Sequence, residues 1–234
     1  MKAKLTLALC AVAVLGGTVA VARAAEIPVA IYPFTDPGDA AKFFKVKGTK
    51  CSRKAVAGTM NIKLGADTSD CAYRSSVIAD STDNSPSIDL TASATYSAKT
   101  PANLTSKLYV GVLTRASANE HYELRVVPAK QRWIMLRDPA GAGAEAVLKS
   151  GAAKFIKVNP AKPNTLRLRT FAIAGGVSVI AQINGQTIYS AIDSAPQPPA
   201  GRYNELAVGS KTGSAASGMV GVFDDVSIRV PSPF

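Results

Sequence analysis

The sequence predicts an all-β protein, a two-sheet antiparallel β-sandwich, on three observations. Between Lys107 and Asp138 three runs alternate apolar with other residues and are separated by the short turns Ala116–Asn119 and Pro128–Gln131. That alternation is the period of half-buried strands. Similar runs recur about every 8–12 residues along the chain with Gly, Pro and Asn between them, as in sandwiches. Asn184-Gly185 joins two of these runs and is the strongest short-range hairpin signal available.

The chain opens MKAKLTLALCAVAVLGGTVAVARA: two lysines, an apolar run, then Ala22-Arg23-Ala24. This order predicts a signal peptide over residues 1–24 and export to the periplasm or the extracellular space. A spanning anchor is the competing reading. It wants about 20 apolar residues, and Gly16, Gly17 and Thr18 interrupt this run. Cys10 follows the bulky Leu9 rather than a small residue, so it reads as part of the leader and not as a lipid attachment site.

Cleavage leaves residues 25–234 as one sandwich domain, 210 residues with no internal repeat and no dividing linker. It removes Lys2, Lys4 and Arg23 and no acid, so the formal charge falls from +11 to +8. Basic charge of this size permits contact with anionic partners but does not specify one. The cations are dispersed, and export argues against nucleic acid. No later stretch is apolar enough to cross a bilayer. The remaining cysteines, Cys51 and Cys71, predict one structural disulfide, because two thiols in an oxidising space are too few for a metal site and too far apart for a redox pair.

In order, Glu26–Phe44 reads as an entry segment confined by Pro28, Pro33 and Pro37 to edge or loop conformations, with one helical turn within Asp36–Phe44. Thr59–Leu64 and Ala72–Ile78 are short strands around the cysteine loop, and Ala79–Ser87 is a turn cluster. Ile88–Tyr96 alternates cleanly. In the following meander Leu108, Val110 and Val112, then Tyr122, Leu124 and Val126, then Ile134 and Leu136 are expected on one core face. Gly141–Gly151 reads as loop and Ala153–Val158 as a strand. Thr165–Phe171, a Gly175-Gly176 turn, Val177–Ile183, Asn184-Gly185 and Gln186–Ser190 form the next hairpins. Glu205–Ser210 and Gly221–Val230 are the last strands.

The segment NTLRLRTFAIAGGVSVIAQINGQTIYSAID (Asn164–Asp193), followed by a Gly-rich loop and GVFDDVSIRV (Gly221–Val230), resembles the concanavalin A-like lectin/glucanase superfamily. More narrowly it is similar to laminin-G-like domains and the 3-keto-disaccharide hydrolase family, over roughly residues 88–230. The resemblance implies a jelly-roll sandwich hosting either a carbohydrate binder or an enzyme.

Catalytic signatures are sparse. Glycoside hydrolysis needs two carboxyl groups about 5–9 Å apart, and the E-x-D-x-x-E strand that the resemblance would supply is missing. Glu120 and Glu123 sit on opposite faces of a strand, as do Asp224 and Asp225. His121 is the only histidine, which reads as a surface or packing residue. No cofactor is expected. Calcium is the one candidate metal, through loop aspartates among Asp36, Asp39, Asp193, Asp224 and Asp225, although no D-x-D loop gathers them.

The outward sheet face is the candidate binding site. If the strands share a side, Tyr109, Arg115, Glu123, Arg125, Trp133, Arg137, Arg167, Arg169 and Gln182 meet there. Aromatic faces suit the C–H face of a sugar, and guanidinium binds carboxylate in a bidentate manner, which favours an acidic glycan. The competing reading is an ordinary solvated face whose arginines pair with Glu123. The expected function is non-catalytic, lectin-like glycan or polysaccharide binding. The alternatives are a glycan-processing enzyme of the 3-keto-disaccharide hydrolase type, or an adhesion module that takes a protein partner.

Overall fold

A computed structural model describes residues 26–66, 68–77, 87–118, 120–139, 144–210 and 218–231. The expected signal peptide, Cys10 and most of the expected turn cluster at residues 79–87 lie outside the described residues. Among the described residues, fifteen strands, two short α-helical turns and a 3-10 turn at Pro128–Lys130 follow in order: β1 (Glu26–Tyr32), α1 (Pro37–Ala41), β2 (Phe43–Lys47), β3 (Cys51–Val56), β4 (Thr59–Leu64), β5 (Asp70–Ser75), β6 (Ile88–Tyr96), α2 (Ala102–Thr105) and β7 (Leu108–Ala116). Then come β8 (His121–Val127), β9 (Arg132–Asp138), β10 (Ala146–Ala152), β11 (Asn164–Ile173), β12 (Gly176–Ile183), β13 (Gln186–Asp193), β14 (Tyr203–Ser210) and β15 (Val220–Pro231).

The strands form two antiparallel sheets, as the alternation predicts. One has the order β13-β12-β11-β6-β15-β4-β3, with β1 also paired to β15. The other has the order β10-β9-β8-β7-β14-β5-β2. The inward positions of both sheets make one core. Ile88, Leu90, Ala92 and Ala94 of β6, with Val177, Val179, Ala181 and Ile183 of β12, pack with Val110, Val112, Leu124 and Val126 of the facing sheet. Cys51 of β3 and Cys71 of β5 form the expected disulfide, with a Cα–Cα distance of 5.9 Å, and it ties one sheet to the other.

Local chemistry explains the joints. Asp36 caps α1 by accepting from the Gly38 amide at 2.7 Å, which gives the single helical turn expected there. Asn184 and Gly185 both take positive φ, 51° and 79°, as a tight hairpin turn requires. The Asn184 side chain also accepts from Thr165 N and donates to Phe155 O, so the turn holds its surroundings in place.

Several expectations change. The entry segment, expected in edge or loop conformations, runs as an edge strand, β1, as its prolines allow, whereas β2 and β3 are strands that the sequence reading did not single out. In the meander, Val126 stands opposite Trp133 and Leu124 opposite Met135. The third strand therefore sends Trp133 and Met135 into the core, and Ile134 and Leu136 outward, the reverse of the expected parity. The expected loop at Gly141–Gly151 contains β10, and the strand expected at Ala153–Val158 is irregular. Gln131, in the left-handed region at φ 50°, holds that segment through its side chain, which donates to Lys154 O and Ile156 O.

Candidate functional site

The outer face of the seven-stranded sheet follows from strand parity. With Tyr122, Leu124 and Val126 turned inward, β8 presents His121, Glu123 and Arg125 outward. β7 adds Tyr109, Gly111 and Leu113, β14 adds Glu205, Ala207 and Gly209, and β5 adds Asp70, Ala72 and Arg74. Register aligns Glu205, Leu113 and Glu123 in one row, and Ala207, Gly111 and Arg125 in the next. Small residues in the second row leave a depression of about 400 Å³. Tyr109, Leu113, Ala72 and Ala207 form its apolar floor.

Two glycines let that floor close up. A Cβ on Gly111 would lie 2.8 Å from Glu123 Oε1, and one on Gly209 would lie 2.5 Å from the Tyr109 ring. Glycine is what the close approach requires at each position.

The charged groups of the pocket hold one another. Glu123 is 2 % exposed. Its Oε2 lies 2.7 Å from the Arg125 guanidinium and 3.5 Å from His121 Nε2. Arg125 also reaches Glu145 at 2.8 Å and lies over the Tyr109 ring, 4.8 Å from its centroid. Across the pocket, Arg74 donates to Glu205 at 2.8 Å and to Ser117 O at 2.9 Å, and stacks on Tyr203. His121 lies 3.9 Å from Asp138, and Lys47 pairs with Asp70 at 2.9 Å.

These contacts divide the two buried carboxyls. Burial raises the Glu123 pKa, but the charge of Arg125 and the bonds from His121 and Arg125 outweigh it and hold the group down at about 2. Burial dominates at Glu205, and the Arg74 contact does not offset it, so that carboxyl is raised. His121 is raised too: burial opposes the charged form, but Glu123 and then Asp138 favour it more. One side of the pocket is therefore a fixed carboxylate and the other a carboxyl that protonates more readily.

The candidate residues named from sequence do not share one side. Tyr109, Glu123 and Arg125 meet in this pocket. Arg115 sits at a backbone irregularity with φ 51°, is 1 % exposed and donates to Pro199 O at 2.8 Å. Trp133 is a core residue packed against Gly151. Arg137 lies opposite Tyr122 and pairs with Asp193 at 2.9 Å, and Tyr122 donates to the same carboxylate at 2.6 Å. Arg167, Arg169 and Gln182 belong to the outer face of the other sheet. Glu205, Arg74, Asp138, Lys47 and Asp70 were not singled out by sequence reasoning. The one available signal was the spacing Glu205, Ala207, Gly209, a strand face with a single acid and small neighbours.

His121, Glu123 and Glu145 bring ligand atoms within 4.8 Å of one another, close enough for a divalent cation. The Arg125 guanidinium already lies between the two carboxylates, so this cluster has a resident cation. The aspartates considered for calcium are scattered. Asp36 caps α1, Asp39 pairs with Lys42, Asp193 holds Arg137, and Asp224 accepts from the Asp225 amide.

No protein-family model matches the chain, and no curated protein matches it in sequence. Solved structures do. The carbohydrate-binding module CBM66 of Bacillus subtilis aligns over 80 % of this chain and 95 % of its own, with TM-score 0.55 and 14 % identity. A β-glucanase of Bacillus licheniformis aligns over 87 % and 98 %, with TM-score 0.58 and 12 % identity. An endo-1,3-β-glucanase of Streptomyces sioyaensis aligns over 89 % and 97 %, with TM-score 0.63 and 11 % identity. At such identities the likeness is one of fold alone, a two-sheet antiparallel β-sandwich.

Proposed function

We propose that this chain is an exported carbohydrate-binding protein that holds a neutral saccharide in the pocket between Glu123 and Glu205. One observation carries the reading: two buried carboxyls are fixed in the same row of the outer face, each clamped by its own arginine, at a depression of about 400 Å³. A pocket of this size falls within the range of about 300–1,000 Å³ usual for small ligands. A sugar hydroxyl both donates and accepts, and an alternation of carboxylate, imidazole and guanidinium offers it both partners in fixed directions. The fold shared with a carbohydrate-binding module and with glucanases supports the reading without carrying it.

The chemistry differs from the expectation of an arginine and aromatic platform for an acidic glycan. Trp133 is in the core and Tyr109 lies under Arg125, so neither ring is open for stacking on a sugar. Asp70, Glu123, Asp138 and Glu205 face Lys47, Arg74, Arg125 and His121, which leaves no surplus of positive charge. Export rests on the leader and agrees with the disulfide.

The test is a screen of neutral oligosaccharides followed by calorimetry on Glu205→Gln, which keeps the shape and removes the charge. Binding weakened about tenfold, or about 1.4 kcal/mol, is expected. Unchanged affinity refutes the placement of the ligand beside Glu205, and a screen without a neutral ligand refutes neutral-saccharide binding in this pocket. N-terminal sequencing of the mature protein should begin at Ala25; an intact leader refutes export by cleavage.

A second reading, glycoside cleavage, is favoured by the division between a low Glu123 and a raised Glu205, the pattern of a base and an acid. Turnover of a bound oligosaccharide that disappears in Glu123→Gln would establish it. Binding without turnover eliminates it.

A further inference from the structure

The geometry points to a second ligand site, on the outer face of the eight-stranded sheet, that takes the carboxylates of an acidic polysaccharide. It does not rest on the pocket described above, which lies on the opposite sheet.

Register builds this face from two rows of strand partners. Arg169 of β11, Asp89 of β6 and Arg229 of β15 stand side by side in one row. Gln182 of β12, Arg167 of β11, Thr91 of β6 and Ser227 of β15 stand in the next. Arg229 of the first row and all four residues of the second, with Thr165, Gly185 and Asp225, line a depression of about 420 Å³, and Asp89 and Arg169 stand beside it. Its lining side chains are the hydroxyls of Thr91, Thr165 and Ser227, the Gln182 amide, the guanidiniums of Arg167 and Arg229 and the Asp225 carboxylate.

The centre of the face is a carboxylate that a merely solvated surface would not bury. Asp89 is 1 % exposed although it points away from the core, because guanidiniums cover it. Arg167 binds it with Nε at 2.9 Å from Oδ1 and with a second nitrogen on Oδ2, and Arg169 Nε lies 3.2 Å from Oδ2. Each of those arginine side chains keeps about a quarter of its surface in solvent, 29 % and 24 %. Arg229 is oriented by its own neighbour, donating from Nε to Ser227 Oγ at 3.1 Å. Asp89 thus acts as a mount that fixes two guanidiniums beside a third.

Orientation selects the ligand class. Arg167, Arg169 and Arg229 stand against Asp89 and Asp225, with Asp224 in the adjoining row, so the face carries no net surplus of charge and the fixed guanidiniums favour carboxylate through their bidentate geometry. Flanking Thr91, Thr165, Ser227 and Gln182 supply the partners a sugar's hydroxyls need. An isolated anion would leave those groups unused, whereas a uronate chain uses both sets. The acidic glycan expected from the sequence therefore belongs to this sheet.

The test compares a short oligogalacturonate with its methyl-esterified, uncharged counterpart by calorimetry at low and physiological salt. Oligogalacturonate should bind the native protein, weaken with salt, and bind at least tenfold better than the ester. Arg229→Gln should weaken it about tenfold, and Gln182→Ala, a rim change that leaves Asp89 and all three arginines in place, about threefold. Glu205→Gln in the other pocket should leave it unchanged. No binding, equal binding of the ester, unaltered affinity in both face variants, or loss in Glu205→Gln each overturns the proposal. Failure of neutral-sugar binding with these results intact would refute only the first site.

Discussion

Acid should loosen this protein through Glu123, and the size of the effect follows from its surroundings. The carboxyl has an ordinary value of 4.5 and is held at about 2 by Arg125 and His121. Because the folded value is the lower one, the unfolded chain binds the proton more tightly. The stabilisation is present in full above the unfolded value and is lost as pH falls through the interval down to the folded one. A difference of that size corresponds to about 3 kcal/mol, with roughly half gone near pH 3.

Two neighbours act in the opposite sense. Glu205 and His121 are raised, so each contributes below its unfolded value and loses that contribution as pH rises through its folded value. His121 is saturated across the acid range. Glu205 partly offsets the loss in the native protein and titrates in a Glu123→Gln variant as well. The assay is urea denaturation followed by circular dichroism from pH 6 to pH 2 on both proteins. The native protein should lose more stability than Glu123→Gln as pH falls below 4.5, the interval in which Glu123 takes up its proton. Parallel curves would refute the assignment of a charged, buried Glu123.

Two further predictions concern the frame. Trp133→Ala removes a core side chain and should cost about 3–5 kcal/mol, read as a lowered urea midpoint by circular dichroism, since the chain has a single tryptophan. A cost below about 1 kcal/mol would mean that Trp133 is outside the core. Reduction of Cys51–Cys71, which closes a loop with a sequence separation of 20, should lower stability by about 3 kcal/mol. An unshifted midpoint after complete reduction would show that the bond constrains nothing that unfolding releases.

Strands with one apolar parity were legible in the sequence. Ile88–Tyr96 and Val177–Ile183 alternate without ambiguity, and both lie where the alternation puts them. Trp133-Ile134-Met135-Leu136 offers apolar residues at both parities, so its facing is decided by the turn at Pro128–Lys130 and the left-handed Gln131. The sequence pattern carries no such information. Arg115 fails for a related reason: an irregularity on β7 turns the side chain from the face its position implies. The pocket was the least legible part. Arg74 and Glu205 are 131 residues apart, and no local spacing announces that they meet. Similarly, the acid facing Glu123 comes from another strand pair, not from the neighbouring Glu120, whose carboxylate accepts from Ala200 N.

The two layers are fastened at both margins of the sandwich. Near one margin Asp193, on the end strand β13, grips Tyr122 and Arg137 of the other layer; near the opposite margin the cystine joins the end strand β3 to β5. Sliding one layer past the other would have to break the Asp193 contacts at one margin and strain the cystine at the other, so the two sheets are held in register from both sides.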